Sequence, residues 1–126
     1  VHRRHYRLPT EAEWEFACRG GKDTDFAFGD KLTGEHALFA TSGHKQSGKH
    51  TCAVALFPAN AYGLRDMHGN VQEWVNDWFD EYYYFESPKD DPQGPKHGQL
   101  RVVRGGCYGM LPIDLRSAAR RGHAPE

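Results

Sequence analysis

The sequence predicts an α+β fold with many turns, few long regular elements and one domain. Three observations lead to this prediction. The chain has 126 residues, which is the length of one domain. Its 14 glycines and 7 prolines interrupt regular structure repeatedly. Hydrophobic residues make up 38% and aromatic residues 13%, which is enough to build a core. We therefore treat residues 1–126 as a single domain.

The first predicted element is a helix in residues 8–19, "LPTEAEWEFACR". Thr10 and Glu13 stand in the S/T-x-x-E relation of a capping box, in which each side chain binds a backbone N–H of the first turn. Small or apolar residues then recur at i, i+3 and i+4: Trp14, Ala17 and Cys18. Gly20–Gly21 ends the helix. The pattern predicts one buried stripe that includes a packed cysteine.

The next segment, residues 20–50, predicts long irregular surface structure. It is rich in glycine, lysine, threonine and histidine. The spacing of His44 and His50 matches no pattern of metal ligands, so both are expected in solvent. The apolar run that follows, "CAVALFPAN" (52–60), predicts a short buried strand or extended segment that stops at Pro58.

Residues 60–79, "NAYGLRDMHGNVQEWVNDWF", predict a turn followed by a short helix. Gly63 and Gly69 are turn positions. Apolar residues after Gly69 fall at i, i+3, i+4 and i+7: Val71, Trp74, Val75 and Trp78. This spacing is typical of a short amphipathic helix.

Oxygen-bearing side chains surround that turn, and they allow two interpretations. The residues are Asp66, Asn70, Glu73 and Asp77. Hard oxygen ligands beside a turn with free carbonyl groups suit calcium. Alternatively, Asp66 caps the helix and Glu73 is solvated. The spacing is not that of an EF-hand loop, so spacing alone favours the second interpretation.

The C-terminal part predicts an exposed loop and then a short strand. Three prolines prevent regular structure in residues 80–100. The aromatic run 82–85 either packs over the core or offers its rings to a partner. "LRVVRGG" predicts the strand, and Cys107 follows its two glycines among arginines. Such a setting favours a thiolate, but it equally suits a small residue beside a tight turn.

Charge and cysteine content exclude several classes of protein. The formal net charge of −1 argues against a nucleic-acid partner held by bulk electrostatics. No apolar stretch is long enough to span a membrane, so no membrane partner is expected. The three cysteines contain no CxxC pair, which disfavours a structural zinc site. No targeting segment is visible, and both a cytoplasmic and an exported location stay open.

Three blocks together resemble the formylglycine-generating enzyme (sulfatase-modifying factor) family: "YRLPTEAEWEFACRGG", "FPANAYGLRDMHGNVQEWVNDWF" and "RVVRGGCYGMLPIDLRSAARRGHAPE". The resemblance runs over essentially the whole chain but covers about the C-terminal half of the family domain. The N-terminal half and a closing "GFR"-like strand are absent from this sequence, so a truncated domain is expected. The resemblance implies a C-type-lectin-like fold with little regular secondary structure, in which calcium ions hold loops in place.

The resemblance also implies a calcium site in the turn region. Asp66 and Glu73 would provide side-chain oxygens, while Gly69 and Val71 would provide backbone carbonyls. A second family site would lie upstream, where Leu38 stands in place of an oxygen-bearing residue. Calcium is therefore the expected cofactor.

The enzymes of the family hold copper with two cysteines that follow the Gly-Gly motif. At the matching positions this chain has Met110 and, allowing for a shorter loop, Leu115. Two thiolates suit Cu(I), and one thioether does not replace them. Cys107 directly follows the glycines, where the family commonly has a small residue. We therefore expect no copper, no catalytic residues, and a vestigial site at Cys107, Met110 and Leu115.

Three functions remain open on the sequence. The first is a non-catalytic lectin-like module that binds a protein or small-molecule ligand. Its expected ligand surface consists of aromatic and basic residues: Tyr83, Tyr84, Tyr108 and Arg116. The second is an oxidoreductase of the family, with an altered site for formylglycine generation. The third is a truncated domain completed by self-association into a homo-oligomer, since half a domain exposes apolar surface and strand edges.

Overall fold

The computed structural model describes residues 5–125, and its regular elements occupy a small part of them. The elements in chain order are helix α1 (Glu11–Arg19), strand β1 (Glu73–Trp78), helix α2 (Tyr83–Glu86), strand β2 (Arg101–Arg104), a 3-10 helix (Pro112–Leu115) and strand β3 (Arg121–His123). The strands form an antiparallel sheet in the order β1-β2-β3. The predicted turn-rich architecture with few helices and short strands is confirmed.

Helix α1 begins and ends as its sequence predicts. The Thr10 hydroxyl accepts a hydrogen bond from the Glu13 backbone N–H at 3.2 Å, and the Glu13 carboxylate accepts one from the Thr10 N–H at 2.8 Å. Gly20 closes the helix in the left-handed conformation, with φ of 56°. Trp14 and Cys18 are buried, whereas Ala17 is only half-buried. Within residues 5–125 no helix is long and apolar enough to cross a membrane.

The predicted helix after Gly69 is wrong, because this segment forms strand β1. Glu73 pairs with Arg104 and Trp74 pairs with Val103 across the sheet. Burial alternates along the strand, so that Val75 and Asp77 point inward while Trp74 is 43% exposed. Residues 73–78 pair with β2, and the Asn76 N–H donates to Pro9 O at 2.8 Å. These tertiary hydrogen bonds outweigh the helical spacing of the apolar residues.

Of the predictions for the remaining segments, some are correct and others are wrong. The strand at "LRVVRGG" is confirmed as β2. Residues 20–50 contain no regular element, as predicted, but the prediction that they lie at the surface is wrong, because Phe26, Ala37 and Phe39 are buried in the core. The run 52–60 is neither strand nor buried: Val54 is 80% exposed, and of its apolar side chains only Phe57 is buried. The aromatic run 82–85 lies largely in solvent on the single turn of α2, with Phe85 84% exposed.

Two apolar clusters hold these elements together. Helix α1 packs on the sheet through Trp14, Cys18, Val75 and Val102. The second cluster joins the irregular N-terminal half to the 3-10 helix through Phe26, Ala37, Phe39 and Leu115. Gly106 borders this cluster with φ of 68°, and a Cβ there would overlap the Leu115 side chain. The glycine is required for both reasons.

A buried network of ion pairs fastens α1 to the rest of the fold. Arg104 of β2 is buried, with its guanidinium beside the carboxylates of Glu11 and Glu15. Arg120 closes on Glu11 from the other side with two hydrogen bonds of 2.8 and 2.7 Å. The carboxylate of Glu11 is therefore shared between two arginines that arrive from distant parts of the chain.

Candidate functional site

Residues 66–73 form a strained loop that concentrates oxygen atoms. Asp66 has φ of 59°, Gly69 of 81° and Asn70 of 61°, so three nearby residues adopt the left-handed conformation. One carboxylate oxygen of Asp66, Oδ2, accepts a hydrogen bond from the Ala55 N–H at 2.6 Å. The other oxygen, Oδ1, is buried and has no hydrogen-bond partner within the described residues. A buried carboxylate oxygen without a partner is costly unless a cation or water meets it.

Two carbonyl groups of the same loop accept no hydrogen bond within the described residues. The Asn70 carbonyl accepts from the Tyr108 N–H at 3.0 Å, and the Asn70 N–H donates to Leu38 O at 3.0 Å. In residues 5–125, by contrast, neither the Gly69 nor the Val71 carbonyl accepts a hydrogen bond. The backbone therefore leaves unpaired the two carbonyls that the family resemblance assigns to calcium.

Glu73 is the second carboxylate of the loop. Its Oε2 accepts a hydrogen bond of 2.7 Å from the Trp14 indole N–H, which ties the loop to α1. Burial raises the pKa of Glu73 above its ordinary value, and the negative charge of Asp66 raises it further. A bound cation would relieve this repulsion. The cap and the solvated carboxylate of the alternative interpretation are not observed, since no helix follows and Glu73 is half-buried.

The donor set of the loop fits calcium. Two carboxylates and two carbonyls are hard oxygen ligands, the kind that calcium takes in irregular loops. Across residues 5–125 no three His, Cys, Asp or Glu side chains gather in a metal-binding arrangement. A cation at this loop would therefore depend on the backbone carbonyls. At the expected second site, Leu38 is buried in the core, and its carbonyl is taken by Asn70.

The positions that match the copper cysteines lie in and beside the apolar core. Leu115 is fully buried, and Met110 packs against the same cluster. Cys107 is half-buried at the start of a turn in which its carbonyl accepts from the Met110 N–H at 3.0 Å. A thioether and a hydrocarbon side chain do not provide the two thiolates that Cu(I) needs, so the residues present do not fit copper.

The remaining cysteines are poor nucleophiles. Burial raises the pKa of Cys18 to about 11, and its thiol lies beside Met67 O, Ser117 and His68. Burial also raises the pKa of Cys52, with a further contribution from the Asp66 charge. Neither thiol forms a disulfide. A neutral thiol attacks slowly, so these two positions do not suit covalent chemistry.

The four residues of the expected ligand surface lie in different surroundings. Tyr83 lines a groove of about 440 Å³ beside Lys96, and Arg116 lines a separate groove of about 740 Å³. Tyr84 carries the Arg120 guanidinium over its ring at 4.5 Å, and Arg120 lines the Arg116 groove. Tyr108 is engaged through its backbone, which accepts from the Gly48 N–H. The structure thus brings Tyr84 and Arg116 near one groove.

His68 is a buried residue that the sequence did not single out. Its Nδ1 lies 2.7 Å from Leu115 O, and its Nε2 lies 3.1 Å from the Ala27 nitrogen. Because a carbonyl can only accept and an N–H can only donate, Nδ1 must carry the proton while Nε2 accepts. Burial lowers the pKa of His68, in agreement with a neutral ring.

The two carboxylates of α1 beside Arg104, buried Glu11 and half-buried Glu15, were also missed, although the sequence contains a signal for them. Glu11 lies three residues before Trp14 and seven before Cys18, so it belongs to the buried stripe of the helix. Glu15 directly follows Trp14 on the neighbouring face. An acidic residue in an apolar stripe indicates a buried partner, but sequence does not reveal which arginine it is.

Comparison with known proteins yields consistent matches. The family model described as "Sulfatase-modifying factor enzyme 1-like domain" matches residues 2–126. The formylglycine-generating enzyme of Streptomyces coelicolor is 41% identical over 137 residues, covering 95% of this chain and 42% of the enzyme. Serine/threonine-protein kinase pkn1 of Chlamydia caviae is 43% identical over 122 residues, covering 94% of this chain and 19% of the kinase. The chain thus spans less than half the length of either relative.

Solved structures agree with the sequence matches. The structure of PvdO from Pseudomonas aeruginosa superposes with a TM-score of 0.79 and 34% identity, covering 94% of this chain and 47% of that one. Treponema denticola variable protein 1 superposes with a TM-score of 0.75 and 30% identity, covering 94% and 42% respectively. Residues 5–125 therefore adopt an arrangement that larger proteins share.

Proposed function

Because this chain belongs to the sulfatase-modifying factor family, we propose that it is a non-catalytic, calcium-stabilised, C-type-lectin-like module that binds a ligand. The single observation that carries the non-catalytic part is the pair Met110 and Leu115, which stands where the enzymes have copper-binding cysteines. The calcium part of the proposal rests on the oxygen-rich loop at 66–73. When bound, calcium would supply charge and cross-linking there, not chemistry on a substrate.

The packing around the vestigial site supports the absence of catalysis. Leu115 fills the apolar cluster that anchors the 3-10 helix, and Gly106 packs directly on it. A reactive group at this position would have to be exposed to substrate and oxygen. The similarity to formylglycine-generating enzymes would favour the altered-site enzyme, but no second thiol accompanies Cys107 at this site.

We expect no formylglycine from this protein. Incubated with Cu(I), oxygen and a peptide that carries the sulfatase cysteine motif, it should form no aldehyde above the protein-free background. The Streptomyces coelicolor enzyme under the same conditions is the positive control. The measurement is aldehyde capture with a hydrazide probe followed by mass spectrometry. Turnover by this chain would overturn the non-catalytic proposal.

The calcium part of the proposal rests on charge balance in the loop. Asp66 Oδ1 is buried without a partner, and Glu73 has a raised pKa partly because of Asp66. The Gly69 and Val71 carbonyls complete an oxygen-only ligand set. The loop joins strand β1 to the turn that contains Gly105, whose carbonyl accepts from the Gly69 N–H at 2.8 Å. A cation here would stabilise the packing of both segments.

Calcium should raise the melting temperature, and a chelator should reverse the increase. At a calcium concentration of 100 times Kd, binding to the folded state alone contributes about 2.7 kcal/mol. Asp66→Asn and Glu73→Gln keep an acceptor oxygen for Ala55 and Trp14 but remove the charge, so each should abolish most of the shift. Asp23→Asn, at an exposed position, is the matched control and should respond like the original protein. An unchanged melting temperature with calcium and with chelator would remove this assignment.

A further inference from the structure

The groove of about 740 Å³ beside the 3-10 helix has the size of a small-molecule site. Its lining combines charged and apolar groups. The charged residues are Asp114, Arg116, Arg120 and Arg121. The apolar part includes the Phe79 ring and Ile113, whose side chain is 62% exposed. An exposed isoleucine beside guanidinium groups suits a ligand that has both an apolar body and a negative charge.

Arg120 lines this groove, and its side chain is held in place by other residues. Its Nε and Nη2 bind the Glu11 carboxylate, and its Nη1 donates to Asp80 O at 2.8 Å. Its guanidinium also lies 4.9 Å from the centre of the Phe79 ring and 4.5 Å from that of Tyr84. Each nitrogen of Arg120 is already a donor, and its guanidinium is paired with Glu11, which Arg104 shares.

Arg116 and Arg121 retain donors for a ligand. Arg116 donates from Nε to Ile113 O at 3.0 Å, and within residues 5–125 its two terminal nitrogens form no hydrogen bond. Arg121 donates from Nη2 to the Asp114 carboxylate at 2.7 Å, in a half-exposed ion pair. Both side chains line the same groove. Two partly free guanidinium groups therefore border one apolar wall.

The charged residues of the groove indicate the charge of a ligand that would fit it. Arg120 is paired with Glu11 and Arg121 with Asp114, whereas Arg116 has no carboxylate partner among the described residues and is therefore the arginine of the groove that can best pair with a ligand anion. A planar guanidinium matches a carboxylate with two parallel hydrogen bonds. A dianion such as phosphate would bring excess negative charge close to Asp114.

We infer that this groove binds the carboxylate of a monoanionic ligand whose apolar part packs on Phe79 and Ile113. Arg116 is the principal anchor, and Arg121 assists. This inference rests on the proposed ligand-binding function and names the ligand class. A free organic acid and the C-terminus of a peptide share the chemistry, and the experiment below separates them.

The probes are 3-phenylpropanoate, its neutral amide and phenyl phosphate, titrated by NMR or calorimetry at low ionic strength. The acid should bind at least about tenfold more tightly than the amide, because the amide loses the charge-assisted hydrogen bonds. A short peptide that ends in phenylalanine, compared with its C-terminal amide, tests the peptide source. Binding by either carboxylate supports the inference. Equal binding of acid and amide in both arms, or tighter binding of phenyl phosphate, overturns it.

Substitutions of the groove arginines test whether the carboxylate probe binds in this groove. Arg116→Gln should weaken binding of the acid about tenfold or more, and Arg116→Lys should restore only part because lysine lacks the planar fork. Arg121→Gln should have a smaller effect. Arg7→Gln is the matched control, since Arg7 also forms an exposed ion pair, with Glu13, but lies outside the groove. An unaltered affinity in Arg116→Gln, with an unaltered melting temperature, would exclude the groove.

The result of the carboxylate-binding experiment is independent of the tests of the proposed function. Aldehyde formation would end the non-catalytic proposal without affecting carboxylate binding. A missing calcium response would remove the cation at Asp66 and leave the groove as described. Failure of both carboxylate probes would overturn this inference alone.

Discussion

Replacing Arg104 by methionine is expected to lower the free energy of unfolding by about 3–5 kcal/mol, the cost of leaving a buried ion pair without one partner. The Arg104 side chain is completely buried. Its guanidinium donates to Ala119 O at 2.6 Å and to the Glu15 carboxylate, and it lies 3.5 Å from Glu11. Methionine fills much of the volume but provides no donor, so two carboxylates lose their shared partner. Urea unfolding followed by circular dichroism measures the change.

The matched control is Arg7→Met, because Arg7 forms an ion pair with Glu13 that is exposed on both sides. Exposed ion pairs contribute little to stability, so the free energy of unfolding of this variant should be close to that of the original protein. A second variant, Arg104→Lys, keeps the positive charge but reaches fewer acceptors. Its free energy of unfolding should lie between those of Arg104→Met and Arg7→Met. Equal stability of Arg104→Met and Arg7→Met would contradict the structural role of the network.

Replacing His68 by leucine is the second change with a large expected effect. Leucine would leave the Ala27 N–H and the Leu115 carbonyl unpaired in the core, and each such group costs about 1–3 kcal/mol. The two bonds join three segments that are far apart in the chain, so their loss should also loosen the 3-10 helix. Hydrogen exchange of the Ala27 amide reports this directly, and urea unfolding gives the total.

His68→Gln tests whether hydrogen bonding, and not ring packing, is responsible. A glutamine amide can donate with its nitrogen and accept with its oxygen, so it should recover part of the stability that leucine loses. His36→Leu is the control, since His36 is only half-buried and stacks on Phe28 at 4.5 Å between ring centres. If leucine and glutamine at position 68 were equally destabilising, the two hydrogen bonds would not be the cause.

Local signals in the chain were sufficient where one element decides its own conformation. The capping box at Thr10 and the glycine at position 20 define α1, because the groups that they satisfy lie within the helix itself. The Gly-Gly motif allowed a tight turn as one of two interpretations, and Gly105 has a φ of 86°. The oxygen-rich residues of the 66–73 loop were visible for the same reason, as a cluster close together in sequence.

Local signals failed where partners come from distant parts of the chain. The apolar spacing of Val71, Trp74, Val75 and Trp78 indicated a helix, yet pairing with β2 makes the segment a strand. The run 52–60 looked apolar enough for the core but lies mostly at the surface, and of its apolar side chains only Phe57 is buried. Burial depends on which segments compete for the core, and a single window of sequence does not contain that information.

Sequence alone was enough to identify the family, the turn-rich α+β architecture and the capped helix. Each depends on residue identity and short-range spacing, which are fully present in the chain. The partners of the buried polar groups became known only from the folded chain: Arg104 and Arg120 share Glu11, His68 joins Ala27 to Leu115, and Arg116 borders a groove with Arg121. Those arrangements join residues separated by up to 109 positions, and a buried polar group is stable only with the partner that the completed fold brings to it.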